Sequence, residues 1–489
     1  MSFLGIDIGS SQAKAVVFDE NGSELASAYR KYAYTTAPGG HIELDSKFVL
    51  ESVLQVIGEC AAAVAAADPV RSLCASSQGE AFTAVGENGK ILTPAMISGD
   101  SRAVNEVAEF VDAFGLKKLY VITGHTPSPM FTLGKLLWLR KHQPELFSRS
   151  TKFLCFEDLL CFRLTGRAAI GYPLAGRTLL FDVVNHVWND EILDAAGIEK
   201  SKLADPLPAG TAVAKIAPEM VRELRLAPGA VWVAGGHDQV VGAYGCGVTE
   251  PGTAMFAAGS VECMVSLLPE RVFSYELCNV NLCTYDYVLP GVYATLAYSL
   301  TGANMQEYYI REFCGGDYKA VLEAMPEKPT GLLALPYLTP SGTPWFDTVT
   351  PACIYGGRFD TTRPEVLKAL WEGIAFELKL NSKFLDQNGI TLDRLIASGG
   401  GLRSPAVVQL HADILGLPIS SISVSETGCR GAALLARRAV EPDFVPPPVK
   451  VVKETMPNPE NAALYSEKFK QWESFSQLVR NFAHGNRII

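Results

Sequence analysis

No two of the eleven cysteines form a C-x-x-C pair and the seven histidines show no H-x-x-x-H spacing, which argues against a structural zinc site. An odd, scattered set of cysteines reads instead as reduced thiols, the usage of a cytosolic protein. Basic charge is scarce. The chain has 42 Lys and Arg against 52 Asp and Glu, a net charge of −10, so no nucleic-acid partner is expected. That deficit leaves phosphate open as a ligand, because backbone N–H groups and a bound metal can cradle it without net positive charge. No apolar run approaches ~18 residues, so no membrane partner is expected. The start, MSFLGIDIGSS, lacks the basic and long apolar regions of a signal peptide, and the expected compartment is the cytoplasm.

What is present describes an ordinary globular enzyme. The 489 residues are 48% hydrophobic and 19% charged, enough for about two to four domains at roughly 150 residues each. Residues 3–8 form an apolar run whose one charge is Asp7. Gly9, Ser10 and Ser11 interrupt it, 13–18 is apolar again, and Asp19-Glu20-Asn21-Gly22 is a turn signal. This reads strand, glycine turn, strand. A dinucleotide-binding loop would pass from strand into helix, so a Rossmann oxidoreductase is excluded. The same grammar recurs at 254–258, Gly259-Ser260 and 261–267. Two hairpins of one design imply two halves on a common plan, divided in the turn-rich stretch 245–252. Helical patterns are expected at 48–67, 101–114, 133–142, 363–384, 404–415 and 461–482.

Four glycine-bearing loops carry the polar residues. In the first, the backbone N–H groups of Gly9, the hydroxyls of Ser10 and Ser11 and the charge of Lys14 suit a phosphate, and a buried Asp7 would need a cation or donors. An ordinary hairpin with a hydrogen-bonded Asp fits the same letters. In the second, 231–244, a strand meets a helix through Gly235-Gly236-His237-Asp238-Gln239. Asp238 there is equally suited to cap the helix or to act as a general base, and His237 reads as packing or a loop hydrogen bond. The third is the Gly259-Ser260 hairpin. In the fourth, Gly399-Gly400-Gly401 lets a flat base approach the backbone, and Ser404-Pro405 fits a helix start. Together they describe a nucleotide cleft equipped for phosphoryl transfer.

These residues, with Ser77-Gln78-Gly79-Glu80, Asp100-Ser101-Arg102, Thr123-Gly124, the run 134–140, Leu335-Pro336-Tyr337-Leu338, Glu372-Gly373 and Gly431-Ala432-Ala433, resemble the FGGY family of carbohydrate kinases, which includes glycerol kinase and xylulokinase. The likeness runs from about residue 4 to about 438. It implies an α/β fold of two actin-like (ribonuclease H-like) ATPase domains with a nucleotide cleft between them. Residues 1–246 would be the sugar-binding domain with the first phosphate hairpin. Residues 247–489 would hold the second hairpin, the adenosine site and a helical tail.

The resemblance also implies roles. Asp238 would deprotonate the acceptor hydroxyl, and Asp7 would hold Mg²⁺. ATP would meet Gly9, Ser10, Ser11, Lys14, Gly259, Ser260, Gly302, Gly400, Gly401 and Ser404. The acceptor, a small sugar or polyol, would meet Gln78, Gly79, Glu80, Asp100, Asp238 and Gln239. Family members often form dimers or tetramers, so a homodimer is the implied assembly. Gly79, Ser98 and Met130 replace residues that glycerol kinase carries, which argues against glycerol. Gly79-Glu80-Ala81 replaces the Met-His-Gly of xylulokinases, yet 129–132 and 234–247 are xylulokinase-like. The expected acceptor is a ketopentose. A polyol kinase with an erythritol- or glycerol-like acceptor is the alternative, and a chaperone-type ATPase on the same core is the rival from another class.

Overall fold

The computed structural model describes residues 1–259, 261–268, 270–399 and 404–485. Its first half is built on a six-stranded sheet of β1 (Phe3–Ile8), β2 (Gln12–Phe18), β3 (Glu24–Lys31), β4 (Ser72–Ser77), β5 (Ala212–Lys215) and β6 (Val231–His237), in the order β5-β6-β4-β1-β2-β3. β1 and β4 are buried on both faces because helices cover both. β3 alternates exposed and half-buried residues, as a strand covered on one face should. The second half holds a seven-stranded sheet of β7 (Thr253–Ala258), β8 (Glu262–Leu268), β9 (Tyr285–Asp286), β10 (Tyr293–Ser299), β11 (Arg394–Ser398), β12 (Ile419–Ile422) and β13 (Val451–Thr455), in the order β9-β10-β8-β7-β11-β12-β13.

The two sheets repeat one plan. β1 and β2 form an antiparallel hairpin extended by β3, while β4 and β6 add in parallel on the other side of β1. β7 and β8 form the matching hairpin, β10 extends it, and β11 and β12 add in parallel beside β7. A glycine N–H closes each hairpin, though the second loop is one residue shorter: Gly9 N donates to Gln12 O at 3.0 Å and Gly259 N to Val261 O at 2.9 Å.

Eight helices matter for the site and its support: α1 (Ser46–Val64), α2 (Thr132–His142), α3 (Asp238–Gly245), α4 (Ala303–Phe313), α5 (Arg363–Gln387), α6 (Pro405–Leu415), α7 (Thr427–Arg438) and α8 (Pro459–Gly485). The expected helix at 48–67 begins two residues earlier because Asp45 caps it, accepting from Lys47 N and Phe48 N. The helix expected from 101 begins at Val104, since Asp100 and Arg102 are bound into a turn. α8 buries Tyr465, Trp472 and Phe475, and its Trp472 ring lies 5.7 Å from Phe376 of α5. All eleven cysteines are free thiols, and no helix among the described residues is long and apolar enough to cross a membrane.

The halves are joined through α3 and α7. A Cβ on Gly245 would stand 1.9 Å from the backbone oxygen of Thr427, and one on Gly431 would stand 1.9 Å from that of Val241. α7 follows the second sheet in sequence yet lies on the first, where a Cβ on Gly5 would meet Cys429 O at 1.7 Å. Gly245→Ala must therefore push apart a pair of helices whose backbones touch. The expected cost is about 2–3 kcal/mol, toward the upper end for overpacking, read as a lowered midpoint in thermal or urea unfolding.

Candidate active site

The site forms where β1, β4 and β6 end. In register, Asp7 pairs with Ser76 on one side and Lys14 on the other, and Ser77 pairs with His237. Asp7 and Asp238 thus occupy the carboxyl ends of strands separated by β4, roughly 10 Å apart along the sheet at ~4.8 Å per strand. β6 carries an irregular register between Val233 and Gly236, which re-aims its last residues. Gly235 N in that stretch donates to the buried Glu157 at 2.7 Å.

Asp7 is half-buried, and its Oδ1 accepts from Ser76 Oγ at 3.0 Å. Burial raises its affinity for a proton, partly offset by the Lys14 charge. Gly428 backs the carboxylate; a Cβ there would lie 3.0 Å from Asp7 Cγ. Lys14 Nζ reaches across the halves to Glu426 Oε2 at 2.6 Å. Ser10 and Ser11 are exposed at the hairpin tip, and Gly9 O accepts from Gln78 Nε2 at 2.9 Å and Tyr32 Oη at 2.6 Å.

Asp238 is the first residue of α3, with His237 in the cap position, so the base and capping readings diverge here: it is not the cap. Its side chain is 29% exposed, the opening that a reacting carboxylate needs. Burial of its surroundings, then the charges of Asp7 and Glu80, push its pKa up to about 7. His237 Nε2 stands 3.2 Å from Asp238 Oδ1, and His237 Nδ1 stands 3.0 Å from Tyr285 Oη. Gln239 donates to the Asp238 carboxylate while its own Oε1 is buried without a partner, as is Gln78 Oε1.

Glu80 sits beside this pair in a left-handed backbone conformation, φ 63°, a strain found where a side chain must be aimed. Its carbonyl accepts from Thr132 Oγ1 at 3.1 Å and from the buried Lys135 Nζ at 3.2 Å, both on α2. Its carboxylate pairs with Arg177, whose Nε donates at 2.5 Å. Arg177 also meets His125 Nδ1 at 3.4 Å and lies 4.9 Å over the Phe131 ring. Sequence reasoning misses Arg177, His125 and Tyr285; the available signal is one cation inside the apolar stretch 174–181.

Gly79 is required by this packing. A Cβ there would lie 2.9 Å from His237 Cδ2 and 3.0 Å from His237 Nε2. Gly79→Ala should displace the ring beside Asp238 and lower turnover by about ten- to a hundredfold, with ADP binding measured by calorimetry retained.

Asp100 is corrected. Its carboxylate is wholly buried and accepts from Ile42 N at 2.8 Å, Arg102 N at 3.1 Å and the Arg102 guanidinium at 2.6–3.0 Å. It braces a loop and offers an acceptor sugar no free oxygen. On the nucleotide side, Gly259 O accepts from Ala303 N at 2.9 Å, tying the second hairpin to α4, where Gly302 stands in the cap position. Ser404 precedes Pro405 at the start of α6. Ser260, Gly400 and Gly401 lie outside the described residues. No group of three or more His, Cys, Asp or Glu side chains among the described residues could hold a metal by protein ligands alone.

The chain has extensive relatives. It is 27% identical to a xylulose kinase of Lactococcus lactis subsp. lactis strain IL1403, over 98% of this chain and 97% of that protein. It is 26% identical to an autoinducer-2 kinase of Salmonella typhimurium strain LT2, over 99% of this chain and 95% of that one. The crystal structure of ligand-bound xylulose kinase from Lactobacillus acidophilus superposes with a TM-score of 0.90 at 23% identity, covering 99% of both chains. Residues 2–245 match the N-terminal domain, and residues 292–440 the C-terminal domain, of the FGGY family of carbohydrate kinases. The chain therefore belongs to the FGGY family of carbohydrate kinases and has its two-domain, actin-like fold.

Proposed function

We propose that this sugar kinase transfers the γ-phosphoryl group of ATP to a hydroxyl of a ketopentose, with Asp238 as the general base. One observation carries the reading: a partly exposed carboxylate at a strand–helix junction, with a pKa near 7, across one strand from a second carboxylate, Asp7. A base poised near the working pH is what removal of a hydroxyl proton asks for. Residues 1–246 are read as the acceptor-binding domain and 247–489 as the adenosine-binding one. The exposed Ser10 and Ser11 suit the ATP phosphates, as Lys14 does by its charge, and the Gly259 hairpin is read as the second phosphate loop. Gln78, Glu80 and Gln239 supply acceptors for sugar hydroxyls.

Asp7 fits a magnesium ion. It is a hard oxygen donor, half-buried, with Oδ1 engaged among the described residues only by the Ser76 hydroxyl, and Mg²⁺ takes one or two carboxylates with phosphate and water oxygens. When bound there it would neutralise charge on the phosphates.

Relatives named for xylulose support a ketopentose acceptor. The buried Arg177–Glu80 pair beside Asp238 favours a second reading, a small polyol or another sugar bound in a differently charged pocket. ADP release with MgATP against a panel of ketoses, aldoses, sugar acids and polyols decides between them. Acceleration by a ketopentose is expected. Acceleration by a polyol alone would replace the acceptor, and flat rates with ATP still hydrolysed would favour a chaperone-type ATPase. At low acceptor concentration, kcat/KM should rise about tenfold per pH unit below about 7 and level off above it, because ionised Asp238 is the active form.

A further inference from the structure

Asp238 does not stand alone on its strand end. His237 Nε2 is 3.2 Å from its Oδ1, and on the far side of the same ring Nδ1 is 3.0 Å from Tyr285 Oη. Three groups in a line fix each other's protons. A neutral imidazole carries one N–H, and opposite an ionised carboxylate that N–H must be at Nε2, since a lone pair there would face a negative oxygen. Nδ1 is then an acceptor and needs a donor. Tyr285 is that donor: it is fully buried, and its hydroxyl stays protonated because burial holds its pKa far above the usual phenol range.

The surroundings keep the ring neutral. His237 is buried, and burial together with the Arg177 charge holds it well below the ordinary histidine pKa. The charged and titratable groups facing this line are Arg177 and His125 beside His237 and Tyr285, the Cys283 and Cys263 thiols beside Tyr285, and Asp7 and Glu80 toward Asp238. Tyr285 comes from the second sheet but is clamped by the first half. Thr284 N donates to Gly124 O at 2.8 Å, Tyr120 Oη to Leu282 O at 2.9 Å, and His186 meets Asp286 at 2.7 Å.

We infer that His237 and Tyr285 are positioning residues for the phosphoryl-acceptor step: Tyr285 fixes the Nε2–H tautomer of His237, which holds Asp238 Oδ1 and leaves Oδ2 to take the acceptor's proton. In that step the acceptor hydroxyl's proton passes to Asp238 Oδ2 while its oxygen bonds to the γ-phosphorus and the bond to ADP breaks. The inference rests on Asp238 being the base. It explains why residue 79 must be glycine, since a Cβ would press on the His237 ring.

The test uses the full-length enzyme. Nitrogen-15 spectra of the wild type, with the His237 signal identified by its loss in His237→Gln, should show the proton on Nε2; a proton on Nδ1 overturns the proposal without any activity assay. Tyr285→Phe should lower kcat about tenfold, leave the acceptor KM within about threefold, and move the pH inflection of kcat/KM upward as Asp238 loses a donor. His237→Leu should lose more, and His237→Gln, whose amide can still donate, should recover most of that loss and be indifferent to Tyr285→Phe. Retained ADP binding and unfolding midpoint separate these effects from misfolding. A wild-type rate and pH profile in Tyr285→Phe, beside an inactive Asp238→Asn, sinks the positioning role alone. Turnover surviving in Asp238→Asn sinks the base assignment on which it rests.

Discussion

Asp238→Asn is expected to lower acceptor-dependent ADP release by at least about a thousandfold while leaving ADP affinity within a factor of about two. The amide keeps the size of the side chain, so the pocket keeps its shape. It cannot take a proton. General-base assistance is worth about 10²–10⁴ in rate, and the expected loss lies in the upper part of that range. The isosteric change also removes one of three mutually repelling carboxylates, Asp7, Asp238 and Glu80. The variant should therefore be at least as stable as the parent above pH 7, and its advantage should shrink as the pH falls from about 7 through the ordinary carboxylate range, below which Asp238 is neutral in the folded and unfolded chain alike. A dead enzyme with an unchanged or raised unfolding midpoint is the signature of a base; loss of both would make Asp238 a structural residue.

The features of this molecule that depend on local pattern were legible in the sequence. The hairpins about Gly9 and Gly259 follow from apolar runs interrupted by a glycine turn, and the strand-to-helix junction at Asp238 follows from Gly235-Gly236. Ends were less legible where a side chain outside the pattern decides them, as Asp45 does for α1. The polar partners were hidden for a different reason. Glu80 and Arg177 are 97 positions apart, Lys14 and Glu426 are 412 apart, and neither member of either pair announces the other. Asp100 shows the converse. A carboxylate followed two residues later by Arg looks the same whether the arginine occupies it or leaves it to a ligand, and only the bidentate geometry decides.

Arg177→Met should be the most destabilising of the substitutions considered, by about 3–5 kcal/mol, because it strands the Glu80 carboxylate, 3% exposed, without its cation. The cost lies in the charge left behind rather than in the attraction removed. Glu80→Gln in the same chain should therefore return stability to within about 1–2 kcal/mol of the parent, since a neutral pair of similar volume carries no stranded charge. Activity should not return with it. Glu80 holds a left-handed backbone, and Arg177 sits against Phe131, Tyr285 and His125 beside the base. Chemical unfolding and acceptor KM, measured on the two single variants and the double, separate the two roles. Stability rescued with KM still raised assigns the pair to acceptor recognition. Stability and KM rescued together make the pair a brace, and equal stability in the single and double variants means that Glu80 is already neutral without its arginine.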